Sequence, residues 1–212
     1  SLGVCNPSGL QGKSVLLAGV DTDVIAVCET HLTTTARSVL QHSLKSHSQY
    51  SHVITGSPLP ARINTNDAGQ YSGVATIARV PARALCACWP QDLFETGRVQ
   101  ITGTFINQTW ITGAVMYGYP QGKVHHNALA RSSEMLEFLI SHMTQVASGP
   151  RYLCGDLNHE MDQLPALQRL VQLGWREAQD LECLRTGTQP QPTCKGCTRK
   201  DMLWISPELV PF

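Results

Sequence analysis

The sequence predicts an α/β (α+β) fold in which β-sheets pack against each other with helices outside. Three observations predict it. Short apolar or alternating runs bounded by turn residues recur along the whole chain, as strands do. Longer stretches carry apolar residues at helical spacing. The two kinds alternate only loosely, and the runs flanking Asn107-Gln108 read as a hairpin, which fits packed sheets better than a doubly wound parallel sheet.

Strands are expected near Leu2–Cys5, Asp23–Cys28, His52–Thr55, Gly73–Arg79, Arg98–Ile106, Trp110–Tyr117, Tyr152–Cys154 and Met202–Ile205. A first helix, Thr33–His47, opens on threonine cap candidates and repeats Ala36, Val39/Leu40 and Leu44. A second, Ala128–Ala147, has the clearest stripe, formed by Leu129, Leu136, Ile140, Met143 and Val146. A third, Leu164–Leu173, carries Leu167, Leu170 and Val171 and stops at Gly174. No repeat or low-complexity segment divides the chain, and Gln189-Pro190-Gln191-Pro192 is too short for an interdomain linker. One domain spanning 1–212 is expected.

Composition narrows the function. Hydrophobic residues are 42 % and charged residues only 15 %, against about a quarter in ordinary globular chains, so this chain folds around a core. Lys plus Arg and Asp plus Glu number 16 each, so no global basic field announces a polyanion. Nucleic-acid binding must then come from a local patch or from metal. Cys28, Cys86, Cys88 and Cys154 lie in apolar, strand-like runs and read as small hydrophobes of a reduced, intracellular protein. No run has the length of a membrane span, so no membrane partner is expected. The chain opens on Ser1 and stops at Phe212, which reads as a fragment truncated at its C-terminus.

Polar residues gather where apolar runs end. Asn6 follows LGVC, Glu29 follows DVIAVC, Asp156 and Asn158 follow YLCG, and Asp201 precedes MLWIS. Each alone reads as a cap or turn residue. Asp156 and Asn158 also stand at i and i+2, which share a side if the chain stays extended. Together they form a set of oxygen donors without a Cys/His cluster, which suits Mg²⁺ or Mn²⁺ rather than zinc. The chemistry predicted is metal-assisted phosphoester hydrolysis.

The ordered series Asn6, VCETHL (Val27–Leu32), YSGVATIAR (Tyr71–Arg79), YGYP (Tyr117–Pro120), CGDLN (Cys154–Asn158) and TRKDMLWIS (Thr198–Ser206) resembles the endonuclease/exonuclease/phosphatase superfamily, the deoxyribonuclease I and apurinic endonuclease group. The ETHL form looks most like the endonuclease domains that precede reverse transcriptases in non-LTR retrotransposons. The resemblance implies a four-layer α/β sandwich, two packed mixed sheets flanked by helices. It implies Glu29 as principal metal ligand with Asn6 beside it, Asp156 as the group that activates water, and Asn158 as a phosphate-binding amide. Tyr117 would contact the scissile phosphate, with Tyr119 as its rival because YGYP has an extra residue. Asp201 would orient a catalytic histidine. The implied partner is nucleic acid, DNA first, with a possible downstream reverse transcriptase domain and a nuclear location if the retroelement likeness holds.

The resemblance also has departures. The family's Ser-Asp-His motif follows the strand after Asp201, yet the 11 residues after Asp201 contain no histidine. The expectation is that the motif lies past Phe212 and that the chain as it stands is nearly inactive, since a missing acid–base group costs about 10²–10⁴-fold. Lys200 stands where the family has an apolar residue. Alternatives therefore stay open: a phosphatase or phosphodiesterase on inositol phosphates, sphingolipids or poly(A), or a catalytically decayed relative.

Other residues attract blander readings. Cys194 and Cys197 have CxxC spacing, with Cys183 upstream, but zinc needs four ligands and no second pair accompanies them. His125-His126 reads as an exposed helix start, with phosphate contact as the alternative. His31 either supports Glu29 or holds a structural hydrogen bond, and His159 caps a turn. Arg79, Arg83, Arg98 and Arg199 read as solvated surface, with contact to a phosphate backbone as the alternative.

Overall fold

The computed structural model describes residues 1–7, 10, 13, 17, 19–47, 49–56, 73–85, 93, 96–120, 127–193 and 199–210. Tyr71, Ser72, Cys86, Cys88, His125, His126, Cys194, Cys197 and Thr198 lie outside them.

Two mixed sheets form. The smaller comprises β1 (Leu2–Cys5), β2 (Val24–Cys28), β3 (His52–Thr55) and β4 (Val74–Ala78), in the order β1-β2-β4-β3, with β1 and β2 parallel. The larger comprises β5 (Ala82–Ala84), β6 (Val99–Ile106), β7 (Thr109–Tyr117), β8 (Arg151–Asp156), β9 (Arg176–Glu177) and β10 (Asp201–Ile205). Their order is β5-β6-β7-β8-β10-β9, with β7 and β8 parallel. The expected hairpin closes at Asn107 and Gln108, both with positive φ, as a two-residue turn between right-twisted strands requires. Helix α1 (Thr34–His47) covers the smaller sheet, and α2 (Ala128–Gln145) and α3 (Ala166–Gln172) cover the larger. The architecture is the expected four-layer α/β sandwich.

Period-2 geometry sorts the apolar residues into three layers. Along β2, Ile25 and Val27 face the α1 side, while Ala26 and Cys28 face the other sheet. Along β7, Ala114 and Met116 face α2 and α3, while Val115 and Tyr117 point between the sheets. Tyr152 and Cys154 of β8 join them there. Strand β2 is buried along its whole length, so it reads as a continuous apolar run rather than an alternating one.

Several expectations need correction. Leu129 (38 % exposed) and Val146 (63 %) are not on the buried stripe of α2, which is Met135, Leu136, Leu139, Ile140 and Met143. The stripe is centred one position away because helical side chains cover the turn before their own Cα. Val39 and Val171 are likewise exposed beside buried Leu40 and Leu170. The short strands β5 and β9 and the helix α4 (Ala178–Thr186) escaped the sequence reading. Strands β5 and β9 are too short to show a period, and no residue of α4 is buried, so it has no apolar stripe to detect. Asp201 does not precede its strand but begins it.

Candidate functional site

Three strands of the larger sheet end in one rank. Asp156, the last residue of β8, pairs with Tyr117 at the end of β7 on one side. On the other side it pairs with Asp201, the first residue of β10. Alternation puts all three on the face turned toward the smaller sheet. That sheet delivers the remaining residues, since Asn6 follows β1 and Glu29 follows β2, and those two strands run parallel. Asn6 crosses the seam to donate from Nδ2 to Asp156 Oδ2 at 2.8 Å. The expected set thus converges.

The YLCGDLN stretch is both a turn and part of the site. Asn158 N donates to Asp156 Oδ1 at 2.9 Å and Asn158 adopts a left-handed φ of 59°. The chain therefore does not stay extended to Asn158, and the turn, not strand alternation, brings the amide back beside the carboxylate. Asn158 Nδ2 then donates to Gly118 O at 3.0 Å.

Two glycines make this close approach possible. A Cβ on Gly118 would collide with the Leu157 carbonyl, and one on Gly155, at φ 149°, with the Met116 carbonyl. Cys28 fills the space between the sheets. Its Sγ donates to Met116 O at 3.4 Å and accepts from Asp156 N at 3.4 Å, so one thiol ties the strand ends that carry Glu29, Tyr117 and Asp156.

Glu29 is held in a conformation that glutamate rarely adopts. Its φ is 54° and that of His31 is 51°. The loop is pinned there by Thr30 N donating to Gly73 O at 3.0 Å and by Leu10 N donating to Thr30 O at 2.9 Å. His31 Nε2 stands 3.4 Å from Glu29 Oε1 but makes no hydrogen bond there. Unusual backbone of this kind persists where the surroundings enforce it and is concentrated at functional sites.

Crowded acids shape the electrostatics. Burial pushes the Asp156 carboxyl up to about 6, with Asp201 and Glu29 adding to the rise and the Asn158 N–H and Lys200 opposing it. Asp201 is also raised, by burial first and then by Glu29, against a lowering hydrogen bond from Thr193. Tyr117 is pushed up to about 12 by burial and then by Glu29, while its hydrogen bond with Asn158 lowers it. Tyr117 therefore stays a neutral phenol near pH 7. Lys200 acts here as a nearby cation rather than as a disruption, lowering Asp156.

Among the described residues, no group of three His, Cys, Asp or Glu forms a ready metal cluster. The donors fit a hard cation nonetheless, because magnesium takes only one or two carboxylates and fills its other positions with water and phosphate. Glu29 offers a partly exposed carboxylate. Asn6 turns its amide nitrogen to Asp156, so its oxygen is the atom directed away from that carboxylate.

Tyr119 lies off the rank. Its ring sits between two arginines, with Arg98 at 4.3 Å and Arg131 at 4.1 Å from the centroid, and Arg131 Nη2 donates to its hydroxyl at 2.9 Å. His159 is fully buried and its pKa is lowered, by burial first, despite backbone hydrogen bonds at Ala128 and Tyr119. Arg83 is exposed, as expected, whereas Arg79 and Arg199 are partly buried. Arg79 bonds Asp21 and Val20 O, Arg83 stacks on Trp110, and Arg199 pairs with Glu177 and Asp180. Arg98, 4 % exposed, departs furthest from the surface position expected of it. Nothing in a Gly-Arg pair before an apolar run signals burial.

No protein-family model matches the chain, and no curated protein matches it by sequence. Solved structures do match. An AP endonuclease from Archaeoglobus fulgidus superposes with a TM-score of 0.69 at 14 % identity, over 98 % of this chain and 87 % of that one. The 3'-5' exonuclease NExo from Neisseria meningitidis gives 0.64 at 14 % identity, covering 97 % and 86 %. A humanized D. rerio TDP2 gives 0.62 at 12 % identity, covering 98 % and 84 %. At such low identity the likeness shows the fold: this chain has a deoxyribonuclease I-like α/β sandwich, the architecture of those structures.

Proposed function

We propose that the chain is a metal-dependent phosphodiesterase acting on nucleic acid, with DNA as the leading substrate. The observation that carries this is the rank Tyr117–Asp156–Asp201, met across the seam by Asn6 and Glu29. Glu29, with Asn6 beside it, would hold Mg²⁺ or Mn²⁺, which when bound would polarise a phosphate oxygen and offset developing charge. Asp156 takes the proton of the attacking water, for which a carboxylate of raised basicity between two donors is suited. The Asn158 amide and the neutral Tyr117 hydroxyl bind phosphate oxygens. Asp201 stands beside Asp156, in position to orient a histidine, as the resemblance implies. The ETHL loop supports a retroelement-type endonuclease, with a reverse transcriptase as its downstream partner.

The test is nicking of supercoiled plasmid in Mg²⁺ and in EDTA, beside phosphate release from inositol phosphates. Both are run on this chain and on a version extended through any residues its gene encodes after Phe212. Mg²⁺-dependent nicking supports the proposal. Phosphate release without nicking moves the substrate to a small phosphoester, and silence of the longer chain on both marks a decayed relative.

A further inference from the structure

The Arg98 guanidinium is buried, and among the described residues no carboxylate pairs with it. A buried cation needs partners, and its partners all belong to one turn. Its Nη1 donates to Gly118 O at 2.9 Å and to Tyr117 O at 3.4 Å. Its plane lies over both flanking rings, 5.0 Å from the Tyr117 centroid and 4.3 Å from that of Tyr119. Its own carbonyl accepts from Tyr117 N at 2.8 Å. The Gly118 oxygen also accepts from Asn158 Nδ2 at 3.0 Å. One carbonyl thus receives the buried arginine from one side and the phosphate-binding amide from the other.

We propose that Arg98 is a positioning residue for the phosphate-binding side of the site, fixing the Tyr117 ring and, through the Gly118 carbonyl, the Asn158 amide. The proposal rests on the phosphodiesterase reading for its catalytic consequence but not for its geometry. Arginine suits the place because one of its nitrogens reaches both carbonyls while its flat, delocalised cation lies over two rings, a contact that a compact lysine ammonium reproduces less well. The charge matters too, since charge-assisted hydrogen bonds are stronger than neutral ones, and a firmly held Gly118 oxygen gives Asn158 a fixed acceptor.

The test compares Arg98→Gln and Arg98→Lys with Arg151→Gln. Arg151 likewise bonds main-chain carbonyls, Met143 O in α2 and Ala147 O just past it, but lies at the opposite end of β8. Hydrolysis of a phosphodiester is measured alongside the Asn158 side-chain amide NMR signals, assigned by their loss in Asn158→Asp. Arg98→Gln is expected to lower kcat by about 10²-fold, the scale of a small misplacement of catalytic groups, with little change in KM. Arg98→Lys recovers part of that loss. Both variants shift the Asn158 amide signals and speed their proton exchange, whereas Arg151→Gln lowers Tm and leaves kcat and those signals alone. Wild-type kcat in Arg98→Gln, or unmoved Asn158 signals, overturns the proposal. If Arg98→Gln does not fold, Arg98→Lys decides by the same two readings. If the wild type cleaves no phosphodiester even in the version extended past Phe212, the functional reading falls and the amide signals alone decide for Arg98.

Discussion

Asn6 Nδ2 and Asp156 Oδ2 meet at 2.8 Å across the seam between the two sheets, while the other oxygen of Asp156 accepts from Asn158 N at 2.9 Å. Each carboxylate oxygen therefore has its own donor, and the orientation of the proposed base is fixed from both sheets at once. The same bond explains why an asparagine, rather than a carboxylate, follows β1: a third acid against Asp156 would have nothing to donate.

Replacing Asp156 with Asn removes the proposed base and sets an N–H against one of two N–H donors. Hydrolysis should fall by about 10²–10⁴-fold, and stability by roughly 1–3 kcal/mol for the unsatisfied pair. The swap Asn6→Asp with Asp156→Asn restores a donor–acceptor match. Urea unfolding should then return toward wild type while the hydrolytic rate stays low; an unchanged midpoint in the single variant would count against the bond.

Glu29→Ala should abolish metal-dependent hydrolysis. It should also abolish stabilisation by metal, which needs no turnover to observe. Mg²⁺ or Mn²⁺ at about 100 times its Kd stabilises a protein that binds it by about 2.7 kcal/mol. Differential scanning calorimetry should show a rise in Tm for wild type, reversed by EDTA, and none for Glu29→Ala.

In metal-free protein, Asp156 gives stability a definite pH dependence. Its pKa is raised from its ordinary value near 4 to about 6, so the folded state holds a proton that the unfolded state has released. Its contribution is complete below about pH 4 and is lost as pH rises through 6, a swing of about 3 kcal/mol at 1.36 per unit. Denaturant midpoints in EDTA should fall over that window, less so in Asp156→Asn. Metal should flatten the fall by favouring the ionised carboxylate.

Gly155→Ala should destabilise the protein strongly. The added Cβ meets the Met116 carbonyl, which belongs to the paired strand and cannot move aside without breaking the sheet. Overpacking of this sort costs typically about 1–3 kcal/mol, and rigid backbone on one side and a positive φ on the other put this case at the upper end. Chemical denaturation of Gly155→Ala provides the measurement.

Much of this was legible because two periods rule the chain. The alternation along β7 and β8 fixes which residues face the seam, and it carries Tyr117 and Asp156 there by the same rule that buries Val115 and Cys154. Asn6, Glu29, Asp156 and Asp201 could be picked out because a polar side chain ending an apolar run is conspicuous. The register that brings Asp201 opposite Asp156 was not visible, since pairing of strands distant in sequence depends on the whole sheet. Arg98 was misread for a related reason: an arginine's burial depends on carbonyls and rings supplied by another strand's end. The left-handed backbone of Glu29 leaves no mark in a sequence that shows an ordinary glutamate.

That backbone carries a lesson for protein engineering. A left-handed glutamate is disfavoured by roughly 1–2 kcal/mol against the conformations it prefers, whereas glycine adopts φ 54° without steric strain, at a smaller entropic cost of roughly 0.5–1 kcal/mol. Glu29→Gly should thus raise Tm while erasing the proposed cation ligand. A thermostability campaign run without an activity screen would select that change early, and the protein it delivered would be sturdier and mute.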